Sequence, residues 1–282
     1  MIGESSPSEV RRIVRAARKR GLTVGCVPTM GALHRGHVSL IEAARCDCDF
    51  VVVTVFVNPT QFGPNEDFSM YPRTLDADLE MCRTAGADLV FTPSVSAMYS
   101  ESAQTIVRVT KLAQMLEGAH RPGHFDGVST VVAKLFNITQ PDLAYFGQKD
   151  FQQQLIIRKM VIDLDQPVEI VTCPIVREAD GLAMSSRNRY LSSAERLSAL
   201  QIFQALRLAE RLAREFHMPP TEISVLMSDH VVATRGMELQ YAVIVDSNTL
   251  EDLTERSDSA IALIAAKVGS TRLIDNQILR FR

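Results

Sequence analysis

The stretch Asp-Phe-Val-Val-Val-Thr-Val-Phe-Val at residues 49–57 constrains the fold more than any other. It is rich in valine and apolar on both faces, which suits a central parallel strand covered by helices on either side. Its surroundings agree. Upstream, Ser6-Pro7-Ser8-Glu9 reads as a helix start, with Ser6 as cap, Pro7 at the first helical position and Glu9 closing a capping box. Val10, Ile13, Val14 and Ala17 follow at helical spacing, and Gly21 fits the stop. Residues 22–27 then read as a short buried strand and 36–45 as a helix. Downstream, the spacing predicts a helix over 74–85 ended by Gly86 and strands at 88–91 and 105–109. It continues with a helix over 128–138, a strand at 142–146, a helix over 150–164 and a strand at 168–172. Such alternation means an α/β fold: a Rossmann-like parallel sheet with helices on both faces.

After residue 175 the rhythm changes. Ser192-Ser193-Ala194-Glu195 is a second capping box, opening a long helix to about residue 216. Pro219-Pro220 breaks the chain, a second helix runs to about 234, and 238–245, 259–268 and 271–279 read as strands. The expected organisation is a nucleotide- and substrate-binding domain over residues 1–175 and a smaller α+β lid domain over 176–282. Two domains suit 282 residues at roughly 150 per domain.

Composition narrows the function. A net charge of −3 argues against a protein that coats nucleic acid, which carries a basic excess. The five cysteines are scattered, without the paired spacing of a zinc site, and read as reduced thiols. No basic region followed by an apolar stretch marks the N-terminus, and no apolar run is long enough to span a bilayer. The expectation is a cytoplasmic protein with neither a nucleic-acid nor a membrane partner.

Four clusters carry possible chemistry. In open parallel sheets, ligands sit beyond the carboxyl ends of the strands. There lie Met30, Gly31, Ala32, Leu33, His34, Arg35, Gly36 and His37, between a predicted strand and a predicted helix. Backbone N–H groups and the helix dipole favour an anion at such a start. Both imidazoles can donate to phosphate oxygens, and Gly31 and Gly36 leave room for a base to approach the backbone. The same two histidines also suit helix caps or metal ligands; zinc would want a third ligand, and nothing in the spacing ties His120 or His124 to His34. Neither a P-loop pattern nor G-x-G-x-x-G occurs. The second cluster, Asn58-Pro59-Thr60-Gln61-Phe62-Gly63, offers amides at the end of the strongest strand, though alone it suits an ordinary turn. The third, Gly147-Gln148-Lys149-Asp150 followed by Gln152-Gln153-Gln154, offers a phosphate-neutralising lysine and an acid for a ribose or a helix cap. The fourth, Asp180-Gly181-Leu182-Ala183-Met184-Ser185-Ser186-Arg187-Asn188, sets hydroxyls beside a cation, as phosphate oxygens require, or is simply a linker. Three of the four follow predicted strands of one sheet, and that joint placement favours a nucleotide site.

Together these segments resemble the pantothenate synthetases (pantoate–β-alanine ligases), within the HIGH-motif nucleotidyl transferase superfamily. The resemblance rests on Pro28-Thr29-Met30-Gly31-Ala32-Leu33-His34-x-Gly36-His37, Phe56-Val57-Asn58-Pro59-x-Gln61-Phe62, Tyr71-Pro72-Arg73, Phe146-Gly147-x-Lys149-Asp150-x-Gln152-Gln153 and Met184-Ser185-Ser186-Arg187-Asn188. It implies that (R)-pantoate attacks the α-phosphate of ATP to give pantoyl adenylate and pyrophosphate. β-Alanine then displaces AMP to form pantothenate. By position, ATP would be bound by residues 30–37, by Gly147, Gln148, Lys149 and Asp150, by the Val176 backbone, and by Met184, Ser185, Ser186 and Arg187. His37, His34, Lys149 and Arg187 would be catalytic. Gln61, Gln153 and Asn58 would bind pantoate, and Gln61 would later meet β-alanine. The resemblance also implies Mg²⁺ travelling with ATP and a homodimer. Ala183 and Ser186 stand where the wider superfamily often has the lysines of K-M-S-K-S, a loss shared within this family. Gln148 stands where glutamate is more usual, and Ala77 between Asp76 and Asp78 where some members have another acid, so no protein ligand to Mg²⁺ is assigned. A different nucleotidyl transferase would need the H-x-G-H loop without Asn58, Gln61 and Gln153; a nucleotide sensor would not need charge at a departing pyrophosphate.

Overall fold

The computed structural model describes residues 1–64, 66–216 and 218–281. They form two compact units, Met1–Gln148 with Gln152–Pro174, and Lys149–Phe151 with Ile175–Arg282. In the first unit, β1 (Ile2–Glu4), β2 (Val24–Thr29), β3 (Phe50–Val55), β4 (Leu89–Phe91), β5 (Leu143–Gly147) and β6 (Glu169–Cys173) make one sheet in the order β1-β4-β3-β2-β5-β6. Every pairing is parallel. The helices are α1 (Pro7–Lys19), α2 (Arg35–Asp47), α3 (Leu75–Thr84), the short α4 (Val95–Met98) and α5 (Glu117–His120), α6 (His124–Thr139) and α7 (Phe151–Asp163).

Alternation of side chains along the strands sorts the helices between the faces. On one face, Val27, Val51, Val53, Val90 and Tyr145 pack with Leu40, Ile41 and Ala44 of α2 and Cys82 of α3. On the other, Phe136 of α6 meets Phe146 with ring centroids 6.5 Å apart, and Gln154 and Arg158 of α7 hydrogen-bond Thr172. The valine-rich segment is β3, buried from Val51 through Thr54. Strand β2 pairs with β3 on one side and β5 on the other. The chain therefore winds outward in both directions from β2, and the switch point of the sheet lies at its carboxyl end, where Met30 emerges.

The structure departs from the expected elements in three places. Ser6 caps α1 by accepting from Glu9 N–H at 3.5 Å, but Glu9 does not close a box. It pairs with Arg12, and Ser6 N–H donates to Glu4 at 2.8 Å. Strand β1, too short and polar to show in the pattern, adds an edge beside β4. Residues 105–109 form no strand; Val107 N–H donates to Thr130 Oγ1 at 3.0 Å, and Arg108 forks onto Asp126. The β-branched run makes the backbone extended, but α6 side chains, not a ladder, hold it.

In the second unit, β7 (Met237–Asp246), β8 (Ala260–Val268) and β9 (Thr271–Ile278) form an antiparallel sheet, with a register shift between Leu239 and Tyr241. Helices α8 (Ser193–Glu215) and α9 (Pro220–Val232) cover it. Ala199, Ile202, Ala205, Leu206, Ala209 and Ala213 of α8 join Ile223, Met227 and Val231 of α9 over Ala262, Ile264 and Ala266 of β8. Small residues at helical spacing let α8 lie close to the strand. The box at Ser192 is complete, with Ser192 and Glu195 bonded reciprocally. Residues 149–151, placed in the first domain by the sequence pattern, group with this unit, where Asn276 Nδ2 donates to Lys149 O at 3.0 Å. Among the described residues no helix is long and apolar enough to cross a membrane.

Candidate active site

The loop after β2 is shaped by its own backbone. Gly31 has φ +79° and Ala32 φ +49°, so consecutive residues are left-handed. Asp78 of α3, 2% exposed, makes that tolerable: its carboxylate accepts from Ala32 N–H at 3.0 Å and Leu33 N–H at 2.8 Å. Thr74 Oγ1 donates to the same carboxylate at 3.2 Å, and Gly31 N–H donates to Thr29 Oγ1 at 3.2 Å. A Cβ on Gly31 would stand 3.0 Å from Asp78 Oδ2. Glycine at 31 therefore answers to its positive φ and to Asp78, where the sequence suggested room for a base.

His34 and His37 cap α2 reciprocally. Gly36 N–H donates to His34 Nδ1 at 3.1 Å, and His34 N–H donates to His37 Nδ1 at 3.3 Å. The rings lie 4.1 Å apart, tilted by 31°. An Nδ1 that accepts carries no proton, so each ring has its hydrogen on Nε2. These bonds bear out the capping reading and put the proton of each ring on the opposite edge. One expectation is corrected. Gly36 N–H belongs to the cap and His37 N–H turns to His34 O at 2.8 Å, so these two amides do not present themselves to an anion. Arg35 runs along the helix to Glu42 at 2.6 Å, about half exposed.

Asn58 and Gln61 occupy a 3₁₀ turn, Pro59–Gln61, after β3. Asn58 is 1% exposed with every polar atom engaged. Its Nδ2 donates to Gln61 Oε1 at 3.2 Å and Gly127 O at 3.1 Å, and its Oδ1 accepts from Thr60 N–H, Thr60 Oγ1 and Tyr99 Oη. The expected contact between Asn58 and pantoate does not fit this arrangement: a side chain with donors and acceptor filled inside the protein positions its neighbour instead. Gln61 Nε2 lies 2.9 Å from Met30 Sδ, which brings the second cluster onto the first. Arg73 ties the Tyr71-Pro72-Arg73 segment together by donating to Tyr71 O and Phe68 O.

The three glutamines of α7 separate cleanly. Gln152, 4% exposed, donates to Leu112 O and Met115 O and accepts from Glu117 N–H. Gln154, also buried, accepts from Thr172. Gln153 is half-buried, and its amide has no hydrogen bond among the described residues. Gly147 ends β5, paired with Cys173 of β6, with nothing within 4 Å of where a Cβ would lie. Gln148–Asp150 form a 3₁₀ turn, with Lys149 Nζ 3.8 Å from Asp150 Oδ1.

In the second unit, Val176 O accepts from Met184 N–H at 3.0 Å, closing the segment that carries Met184, Ser185, Ser186 and Arg187. Ser185 caps the 3₁₀ turn Ser186–Tyr190 by accepting from Arg187 N–H at 3.3 Å. Asn188 donates to Glu178 and Ala183 O. Arg177 forks onto Asp275 at 2.6 and 3.0 Å and stacks over Phe203 at 4.1 Å. Burial pushes the Asp275 carboxyl up from its ordinary value, against the pull of Arg177. The phosphate-binding candidates Ser185, Ser186 and Arg187 thus sit on a braced turn.

The sequence pattern does not single out Gly127, Tyr99, Arg121 or Glu66, and it offers Asp78 only as an acid beside Ala77 and His124 only as a zinc candidate, yet all of these shape the first two clusters. Apart from Glu66, which accepts from Gly63 N–H three residues away, none stands in a local pattern with the residue it supports. Among the described residues, no three His, Cys, Asp or Glu side chains are placed to hold a metal, and Asp78 is engaged by backbone amides.

The family model described as pantoate-beta-alanine ligase matches residues 4–278. The pantothenate synthetase of Moorella thermoacetica is 52% identical over 270 residues, covering 96% of this chain and 95% of that protein. That of Thermotoga neapolitana is 49% identical over 271 residues, covering 96% and 97%. The crystal structure of pantothenate synthetase from Thermus thermophilus superposes with a TM-score of 0.94 at 44% identity, covering 99% of each chain. The pantoate-beta-alanine ligase of Francisella tularensis, solved in complex with beta-gamma ATP and beta-alanine, superposes with a TM-score of 0.81 at 34% identity, covering 99% of this chain and 97% of that one. With the H-x-G-H cap at the switch point of its sheet and Gln61 beside it, this chain belongs to the pantoate–β-alanine ligase family.

Proposed function

We propose that the loop after β2 and the turn after β3 divide the chemistry of an ATP-dependent condensation of (R)-pantoate with β-alanine. The enzyme forms pantothenate through pantoyl adenylate, releasing pyrophosphate and then AMP. In the first step the pantoate carboxylate attacks the α-phosphorus and the α–β phosphoanhydride bond breaks. In the second the β-alanine amine attacks the acyl carbon, AMP departs, and the amine loses a proton.

The observation that carries this reading is the reciprocal histidine cap. With Nδ1 of each ring accepting inside the protein, His34 and His37 direct Nε2–H donors at phosphate oxygens and stabilise charge as pyrophosphate leaves. Gln61 and Gln153 hold pantoate, and Gln61 later faces β-alanine. Gly147, with space on the side where a Cβ would stand, receives the nucleoside together with Gln148 and Asp150, and the Val176 backbone meets adenine. Lys149, Arg187 and the Ser185 and Ser186 hydroxyls act on the phosphates. Mg²⁺ enters as part of the ATP substrate, because magnesium keeps most of its waters and favours substrate phosphates. The protein aligns and stabilises without a covalent enzyme intermediate. The second unit as a lid, a cytoplasmic location and a homodimer complete the proposal. Exposed Leu197, Phe216, Val225 and Val232 on and beside α8 and α9 support self-association, which sedimentation would test.

ATP–pyrophosphate exchange is the decisive assay. Exchange should require pantoate and proceed without β-alanine; exchange driven by another acid and not by pantoate would sink the substrate assignment. His37→Ala should lower the exchange rate by about 10²–10³-fold in folded protein, the size expected for a lost charge-stabilising donor. An unchanged rate would remove His37 from the chemistry.

A further inference from the structure

The turn that presents Gln61 has only one short 3₁₀ segment, Pro59–Gln61, to hold its shape. The restraint comes from the start of α6. His124 Nδ1 lies 2.8 Å from Gln61 O, and His124 Nε2 lies 3.0 Å from Arg121 Nη1. A guanidinium only donates, so Nε2 accepts, the ring proton sits on Nδ1, and Nδ1–H donates to Gln61 O. Arg121 also forks onto Glu66, with Nε to Oε1 at 2.6 Å and Nη2 to Oε2 at 2.8 Å. Glu66 Oε2 in turn accepts from Gly63 N–H at 3.3 Å. Every bond runs in one sense, from guanidinium through imidazole to the Gln61 carbonyl, while the carboxylate anchors the guanidinium.

We propose that Glu66, Arg121 and His124 form a positioning relay that sets the Gln61 backbone, and through it the amide that receives pantoate, without themselves touching substrate. This rests on the reading of Gln61 as a pantoate residue. The imidazole is 7% exposed. Burial, followed by the neighbouring Arg121 charge, lowers its pKa to about 4 against the opposing pull of Glu66 and Glu117, so the ring is neutral at neutral pH, as a ring that accepts at Nε2 must be. On the other side of the turn, Gly127 touches its backbone: a Cβ there would stand 2.4 Å from Thr60 O and 2.7 Å from Gln61 Cα. The first turn of α6 therefore both bonds the Gln61 carbonyl and packs against the chain that carries it. A relay limited to this turn predicts an effect on pantoate without an equal effect on ATP, which a general loss of packing would not produce.

The test is initial-rate kinetics of adenylation with His124→Leu, His124→Asn, Glu66→Gln and Gln61→Ala, and with His124→Leu combined with Gln61→Ala. Asparagine places a side-chain N–H near the position of Nδ1 and keeps the donor to Gln61 O. His124→Leu should raise KM for pantoate about tenfold while KM for ATP moves less than about twofold, and His124→Asn should recover most of the loss. Glu66→Gln, a half-buried change of equal volume that does not endanger folding, should raise KM for pantoate about threefold. The double variant should be no worse than Gln61→Ala alone, since both act through one residue. Equal changes in both KM values, no recovery with asparagine, no effect of Glu66→Gln, or fully multiplicative losses in the double variant would each overturn the relay. If Gln61→Ala leaves KM for pantoate unchanged, the assignment of Gln61 itself fails and the relay falls with it; an effect of Gln61→Ala without one from His124 or Glu66 removes the relay alone.

Discussion

The loop at residues 30–37 and the turn at 58–61 meet at Met30 and Gln61, yet they are held in opposite ways. The first is largely self-made. Two histidines three residues apart cap each other's backbone, with one outside carboxylate, Asp78, gathering the amides of Ala32 and Leu33. The second is borrowed. Asn58 reaches Gly127 O and Tyr99 Oη, His124 holds the Gln61 carbonyl, and the absence of a side chain at Gly127 lets α6 approach. A self-capped loop can be rigid before substrate arrives, whereas a turn held from a distant helix takes its geometry from how that helix packs.

This contrast breaks most visibly at Gly127. Gly127→Ala would set a Cβ 2.4 Å from Thr60 O and 2.5 Å from Thr60 C, backbone atoms that cannot swing aside. It should cost about 1–3 kcal/mol in stability, and displacing Gln61 should lower kcat/KM for pantoate about a hundredfold. Urea denaturation and pantoate kinetics measure both; an alanine variant with native pantoate kinetics would show the turn to be independent of α6.

Asp78→Asn tests the other loop. The amide can accept from one of Ala32 and Leu33 but turns a donor toward the second, an unmet polar group worth about 1–3 kcal/mol. KM for ATP should rise about tenfold with KM for pantoate little changed, the reverse of the His124 pattern. Parallel changes in both would mean the two loops move as one.

A pH titration of stability sharpens the comparison further. His124 has a native pKa of about 4. An unfolded histidine titrates near about 6.5, so between these values the unfolded chain holds a proton that the native chain does not. Its contribution is present in full above about pH 6.5 and is lost as pH falls toward about 4, roughly 2–3 kcal/mol by pH 4.5. Wild type should lose that much more than His124→Asn between pH 7 and 4.5; equal losses would place the effect elsewhere. The smallest expected effect is at Arg35. Its pairing with Glu42 is exposed and screened by solvent, so Arg35→Ala should leave the urea midpoint nearly unchanged. A marked rise in KM for ATP would instead restore Arg35 to the nucleotide site.

Much of the fold was legible because its signals are local. The valines of β3, the small residues of α8 and the box at Ser192 each state their burial or their cap within a few residues. Residues 105–109 show the limit: β-branched residues specify an extended backbone, but a strand also needs a neighbour, and here Thr130 and Asp126 of α6 take that place. The glutamines show it again. Three consecutive residues share one chemistry, and only helix phase against Leu112, Met115 and Thr172 leaves Gln153 apart.

By itself the sequence determined the alternating parallel sheet, the change of architecture after residue 175 and the histidine pair at the start of α2, since period, capping and turn chemistry act over one or two turns of chain. Tertiary structure alone decided that Asn58 is engaged by Gly127 and Tyr99, that Asp78 steadies Ala32 and Leu33, and that Arg121 and His124 reach back to Gln61. Those bonds join residues far apart in the chain, where a hydrogen bond is set by the packing of whole elements and leaves no spacing to read.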